Sequence, residues 1–125
     1  MQDISGFPEE GQQLVNSYGD GGFRISGVRH DGNVLIFPDH TVAWNIETID
    51  QLDLSHLQQV VDADPKVEIL LIGCGKTMAF IDETVRQTLR SEGITIDSMD
   101  SGAAVRTYNV LLLEGRRVAA ALIAV

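Results

Sequence analysis

One cysteine, Cys74, occurs in 125 residues, and that scarcity excludes a disulfide scaffold. Three prolines and twelve glycines are too few for a collagen-like or low-complexity chain. No apolar run approaches the roughly 20 residues that a membrane helix needs, and the longest candidate, the tail 118–125, falls far short. The opening Met1-Gln-Asp-Ile-Ser-Gly-Phe-Pro-Glu-Glu10 is acidic and has no apolar signal core or Arg-rich transit pattern. Basic residues are also scarce in one half. Residues 1–64 hold eleven acids against only Arg24 and Arg29, which gives −9; residues 65–125 hold seven of each sign and balance. Between Arg29 and Lys66 there are seven acids and no Lys or Arg. Such a surface repels phosphate backbones and argues against a nucleic-acid partner. It serves solubility, or it steers a basic protein partner. A lone thiol without an export signal leads us to expect a cytoplasmic protein with no membrane insertion.

The residues present describe a globular α/β chain. Hydrophobic residues make up 44% and charged residues 22%, enough apolar surface to build a core at this length. We expect an N-terminal segment, 1–11, that is flexible, followed by a single α/β domain, 12–125. Residues 12–45 read as short strands with turns at 19–22, at Asp31-Gly32 and at Pro38-Asp39; the pieces suggest an antiparallel meander with a hairpin at Asp31-Gly32. Ser55 and Gln58 fit a capping box opening a helix that Asp64-Pro65 ends. From Val67 the pattern becomes strand, helix, strand, helix, strand, which implies parallel pairing. The apolar run 67–72 suits a strand buried on both faces. Asp82 and Glu83 begin the next helix, with Asp82 and Arg86 as an i,i+4 pair, and a third helix spans 101–114.

Few residues point to chemistry. Gly75-Lys76-Thr77 copies the end of a phosphate-binding loop, but the first glycine of that motif would fall at Leu70, inside a strand, and a dinucleotide fingerprint would need glycine at Met78. We therefore expect no nucleotide and no cofactor. His30, His40 and His56 are scattered without metal-ligand spacing, so no metal is expected. The turn Gly73, Cys74, Gly75, Lys76 still sits where open α/β sheets place ligands, at a strand's carboxyl end. Cys74 beside Lys76 is either a packed thiol or an activated one. On the third helix, Arg106, Tyr108 and Asn109 precede the apolar residues 110–113. The pattern suggests enclosure, with Arg106 paired to Asp97, Asp100 or Glu114 in a structural network; the alternative is that Arg106, Tyr108 and Asn109 form a cleft wall.

At these residues a resemblance emerges. Leu70-Leu-Ile-Gly-Cys-Gly75, Gly93-Ile94, Met99, Ala104, Arg106-Thr-Tyr-Asn-Val-Leu111 and the stretch from Glu114 through Arg116, Arg117 and Val118 to Leu122 resemble a family of small proteins of unknown function. That family includes a mitochondrial assembly factor for respiratory complex I and an adipogenesis-associated domain protein. The resemblance covers roughly residues 12–125. It implies three layers: a central five-stranded mixed sheet, helices on one side, and a layer containing a β-meander on the other. It implies no catalytic residues. Without a transit peptide, this chain looks like a bacterial-type relative. The expected function is a non-enzymatic protein-binding or assembly factor; the alternative is a small-molecule binder or enzyme using Gly73, Cys74, Gly75 and Lys76 with Arg106, Tyr108 and Asn109.

Overall fold

Two tight turns with positive φ at both central residues set the first layer. Asp20 (φ 54°) and Gly21 (φ 77°) join β1 (Val15–Gly19) to β2 (Gly22–Ile25), and Ser26 (φ 47°) and Gly27 (φ 83°) join β2 to β3 (Val28–Asp31). Such turns match the right-handed twist of paired strands, so a three-stranded antiparallel meander forms. The hairpin expected at Asp31-Gly32 is not there. The chain leaves the meander at that point, and β4 (Val34–Phe37) pairs instead with β5 (His40–Ala43) and with β8 (Val118–Leu122). The computed structural model describes residues 10–125. Of the expected N-terminal segment 1–11, residues 1–9 lie outside the described residues.

The second sheet has five strands in the order β5-β4-β8-β6-β7, with β8 central and β6 (Ile69–Gly73) parallel to both β7 (Thr95–Met99) and β8. The sheet is therefore mixed, as expected. Helix α2 (Glu83–Ser91) carries the chain from β6 outward to β7, and α3 (Ser101–Leu113) carries it back across β6 to β8. Two right-handed crossovers running in opposite directions must place their helices on opposite faces, and the two cores bear this out. On one face Leu35, Phe37, Leu70, Ile72, Ala119 and Ala121 pack with Val85 and Leu89 of α2 and Val60 of the short α1 (Gln58–Val61). On the other, Val34, Ile36, Leu71, Val118, Ala120 and Leu122 pack with Ala104, Val105, Tyr108 and Leu112 of α3 and with Phe23 and Ile25 of the meander. The sets alternate along each strand, the period of two that a sheet buried on both faces requires.

The helix starts follow the chemistry of their caps. The box expected at Ser55 lies two residues earlier. Asp53 accepts from the Ser55 backbone N–H at 2.9 Å, and the Asp53 N–H donates to Nδ1 of His56 at 3.1 Å. A carboxylate is acceptor-only, so it serves orphan N–H groups at a helix start, and Ser55 spends its own N–H and Oγ on it. The Ser55 hydrogen bonds hold the Asp53 carboxyl below its ordinary pKa. Asp82 likewise caps α2, accepting from Thr84 N–H at 2.8 Å. It does not pair with Arg86, whose guanidinium donates across to the Ile96 carbonyl at 2.9 Å and Ser98 Oγ at 3.2 Å on β7. Asp100 caps α3 by accepting from Ala103 N–H at 2.8 Å.

Ser101 closes the carboxyl end of the sheet. It is fully buried. Its Oγ donates to the Ile123 carbonyl at 2.6 Å and accepts from Gly75 N–H at 3.0 Å, while its own N–H donates to the Gly75 carbonyl at 2.8 Å. Replacing Ser101 by Ala nearly keeps the volume but strands one buried donor, the Gly75 N–H, and one half-buried acceptor, the Ile123 carbonyl. At about 1–3 kcal/mol for each unsatisfied group, Ser101→Ala should cost about 2–4 kcal/mol in urea melts; a loss below about 0.5 kcal/mol would mean that water takes over both bonds.

Candidate functional site

The seven residues singled out in the sequence go to different places. Gly73 ends β6 where no side chain fits: a Cβ there would lie 2.8 Å from Leu122 Cδ2 and 2.9 Å from Ser101 Cα. Cys74 is 7% exposed, its N–H donates to the Met99 carbonyl at 2.8 Å, and its Sγ lies 3.8 Å from the carbonyls of Ile72 and Ala79. Burial pushes the Cys74 thiol above its ordinary pKa. The amide of Gly75 is committed to Ser101 Oγ. Two of the backbone donors at this turn, those of Cys74 and Gly75, are therefore already used. Lys76 is exposed to solvent.

Tyr108 is fully buried, and its hydroxyl donates to the Phe37 carbonyl at 3.3 Å. Burial drives its pKa far above the ordinary phenol range, so it remains a neutral donor. Asn109 reads the edge of β1 as a neighbouring strand would: its Nδ2 donates to the Val15 carbonyl at 2.9 Å and its Oδ1 accepts from Val15 N–H at 3.0 Å. Both side chains tie α3 to neighbouring strands. Arg106 departs from its expected enclosure. It is exposed, and it forms no ion pair among the described residues. The apolar residues that follow mislead, because Val110, one turn later on the same face, is also exposed.

Two other regions have the form of sites. The loop from β6 to α2 holds Met78 at 50% and Phe80 at 90% exposure. Phe80 borders a shallow hollow of about 210 Å³ with Ile49, Leu52 and Ile81, rimmed by Asp50 and Asp82. At the opposite end of the sheet, a cavity of about 260 Å³ opens between the β4–β5 turn, the residues before β6 and the α3–β8 turn; Phe37, Val67, Leu112, Lys66, Arg116 and Arg117 are among its walls. None of the seven expected residues lines either of these. Among the described residues, no group of three His, Cys, Asp or Glu side chains is placed to hold a metal ion. Nor is any helix long and apolar enough to cross a membrane.

The family described as "Protein of unknown function (DUF498/DUF598)" matches residues 15–123. The chain belongs to it. An uncharacterized protein of Rhodobacter capsulatus is 37% identical over 109 residues, covering 87% of this chain and 82% of that one. A human protein named NADH dehydrogenase [ubiquinone] 1 alpha subcomplex assembly factor 3 is 31% identical over 109 residues, covering 87% of this chain. This chain spans only 59% of that human protein's length. Among solved structures, one described as an outer membrane protein from Bartonella henselae superposes with a TM-score of 0.84 at 36% identity, covering 94% of this chain and 98% of its own. The mixed α/β arrangement of this chain is shared with that solved structure, and some sequence relatives carry the name of an assembly factor.

Both of the other regions escaped the sequence reading, although each left a trace. Met78-Ala-Phe-Ile81 is an apolar run in a segment with neither strand nor helix, and Lys66 and Arg116-Arg117 stand just before strands that pair with each other. Two outcomes follow from the geometry. Arg106→Ala should change stability by less than about 1 kcal/mol in urea melts, as for an exposed charge; a loss of about 3–5 kcal/mol would restore a buried pair. Cys74 should react with iodoacetamide far more slowly in the folded chain than in urea at the same pH, and faster as pH rises; equal rates would show an accessible thiolate.

Proposed function

We propose that this protein is a non-enzymatic protein-binding or assembly factor of the cytoplasm, acting beside a respiratory or other membrane complex. The observation that carries this reading is Phe80. Burying a phenylalanine side chain contributes about 1.5–3 kcal/mol, yet this one stands 90% exposed in a loop with half-exposed Met78. Isolated exposed apolar residues are ordinary, but two in one loop stand out, here beside a mostly polar hollow that Ile49, Leu52 and Ile81 line in part. Asp50 and Asp82 border it, and the half of the chain that supplies Asp50 carries the whole net charge. Such a surface suits an apolar socket with a basic rim, where the aromatic supplies affinity and the acids supply association rate. The assembly role named for the human relative supports the same class of function.

The competing reading, a small-molecule binder or enzyme built on Gly73, Cys74, Gly75 and Lys76 with Arg106, Tyr108 and Asn109, has less support. The amides of Cys74 and Gly75 and the side chains of Tyr108 and Asn109 have structural partners.

A photo-crosslinking amino acid placed at position 80 in cells tests the proposal, with the same probe at Val110 as the control. A partner captured from position 80 and not from 110 is the expected result. Phe80→Ser should keep the fold within about 0.5 kcal/mol and weaken binding of that purified partner at least roughly tenfold, as loss of an aromatic anchor does. Asp50→Asn should slow association, and the difference should vanish at high salt, where the Debye length falls to about 3 Å. Unchanged affinity in Phe80→Ser would overturn the proposal.

A further inference from the structure

The cavity at the amino ends of the parallel strands differs from the rest of the molecule in charge. The chain has nine basic residues against eighteen acids, and three of the nine, Lys66, Arg116 and Arg117, line this one opening. Strand pairing brings them together. Lys66 precedes β6 and the two arginines precede β8; Ile69 is registered with Val118, and Glu68 N–H donates to the Arg117 carbonyl at 2.9 Å. Their charges are unevenly spent. Arg117 is held by Glu68 Oε1 at 2.9 Å, a contact that keeps the Glu68 carboxyl below its ordinary pKa. Lys66 Nζ donates to the Glu92 carbonyl at 3.1 Å, which orients the ammonium but leaves its charge uncompensated. Arg116 forms no ion pair among the described residues.

The floor is apolar, with Phe37, Val67 and Leu112 buried beneath the opening. Two carboxylates also border it. Asp39 is engaged by His40 Nδ1 at 2.7 Å, and that imidazole stacks on Phe37 with ring centres 4.5 Å apart; Asp64 lies exposed at the rim. Pockets of this kind, apolar with a few convergent polar groups, are the usual form of ligand sites, and a volume near 260 Å³ falls just below the range of drug-sized ligands, about 300–1,000 Å³. The long-range field of a chain at −9 repels anions, so an anion retained here is held by local contacts.

We propose that this cavity binds a small amphiphile with an anionic head, its apolar part on Phe37, Val67 and Leu112 and its carboxylate or phosphate on Lys66 and Arg116. The site lies at the opposite end of the sheet from Phe80, so it stands or falls independently of the docking surface.

Titration of the ¹⁵N-labelled chain with four probes sharing one tail tests this: octanoate, octyl phosphate, octylamine and octanol. At least one anionic probe should give saturable shifts centred on the amides of Val67, Leu112 and Arg117, and the amine and the alcohol should bind at least roughly tenfold more weakly, the scale of one charge-assisted contact. Comparing octanoate with octyl phosphate tells which head the site takes. The double variant Lys66→Gln, Arg116→Gln replaces exposed side chains and should keep the native spectrum while weakening the anion roughly tenfold. No saturable shift from either anion, equal binding of the amine or the alcohol, or unchanged affinity in the folded double variant would each overturn the proposal.

Discussion

The close approach of Ser101 to Gly73 governs the rest of the structure. Only a residue without Cβ lets the end of β6 lie against both the start of α3 and Leu122 at the end of β8. Ser101 then bonds to the chain after each of those strands, to Gly75 and to Ile123. With its first residue pinned, α3 lies over the sheet with small residues on both sides, Ala104 of the helix and Ala120 of the sheet, in one buried core. Further along, Tyr108 reaches the end of β4 and Asn109 clamps β1. The helix that this serine and glycine pin thus ties the meander to the central sheet, alongside the direct packing of Phe23 and Ile25 on the sheet face.

This constraint also bears on where function can lie. In open α/β sheets the crevice at a topological switch point, here between the carboxyl ends of β6 and β7, is the ordinary place for a ligand. Here the same crevice is stapled shut: Cys74 N–H is bonded to Met99, and Ser101 and Gly75 are bonded to each other in both directions. The turn's glycines serve close packing. Openings are found instead beside the loop that leaves this end, where Met78 and Phe80 are exposed, between Trp44 and His56, and in the cavity at the far end of the sheet.

Much of the fold was legible because its signals are local. The apolar run before Gly73, the acid at Asp82 and the glycines at 93 and 115 mark strand and helix ends by backbone rules that tertiary packing does not override. The mistaken hairpin has a clear origin. Asp31-Gly32 and Ser26-Gly27 are both plausible turn pairs, and only the second returns the strand onto its neighbour, because β4 finds better partners in β5 and β8. The site residues were harder to read. Arg106, Tyr108 and Asn109 are adjacent in sequence, but a helix advances about 100° per residue, so one faces solvent, one the core and one the edge of β1. Adjacency suggested a cluster that helical geometry disperses.

The acidic half shows how local contacts and long-range fields can coexist. Asp53 caps a helix, Asp31 holds Arg29 at 2.9 Å, and Asp62 accepts from Gln58 at 3.0 Å, so several of these acids have a structural use. A hydrogen bond from an amide or a hydroxyl leaves the carboxylate's charge in place, and only the pairing with Arg29 cancels one. The field therefore survives the structural roles, so the same charges are available both for solubility and for the proposed steering. What distinguishes steering is an anchor at which the encounter ends. Under the proposed docking function that anchor is Phe80, a nearly bare ring that the balanced half of the chain sets beside Asp50 of the acidic half.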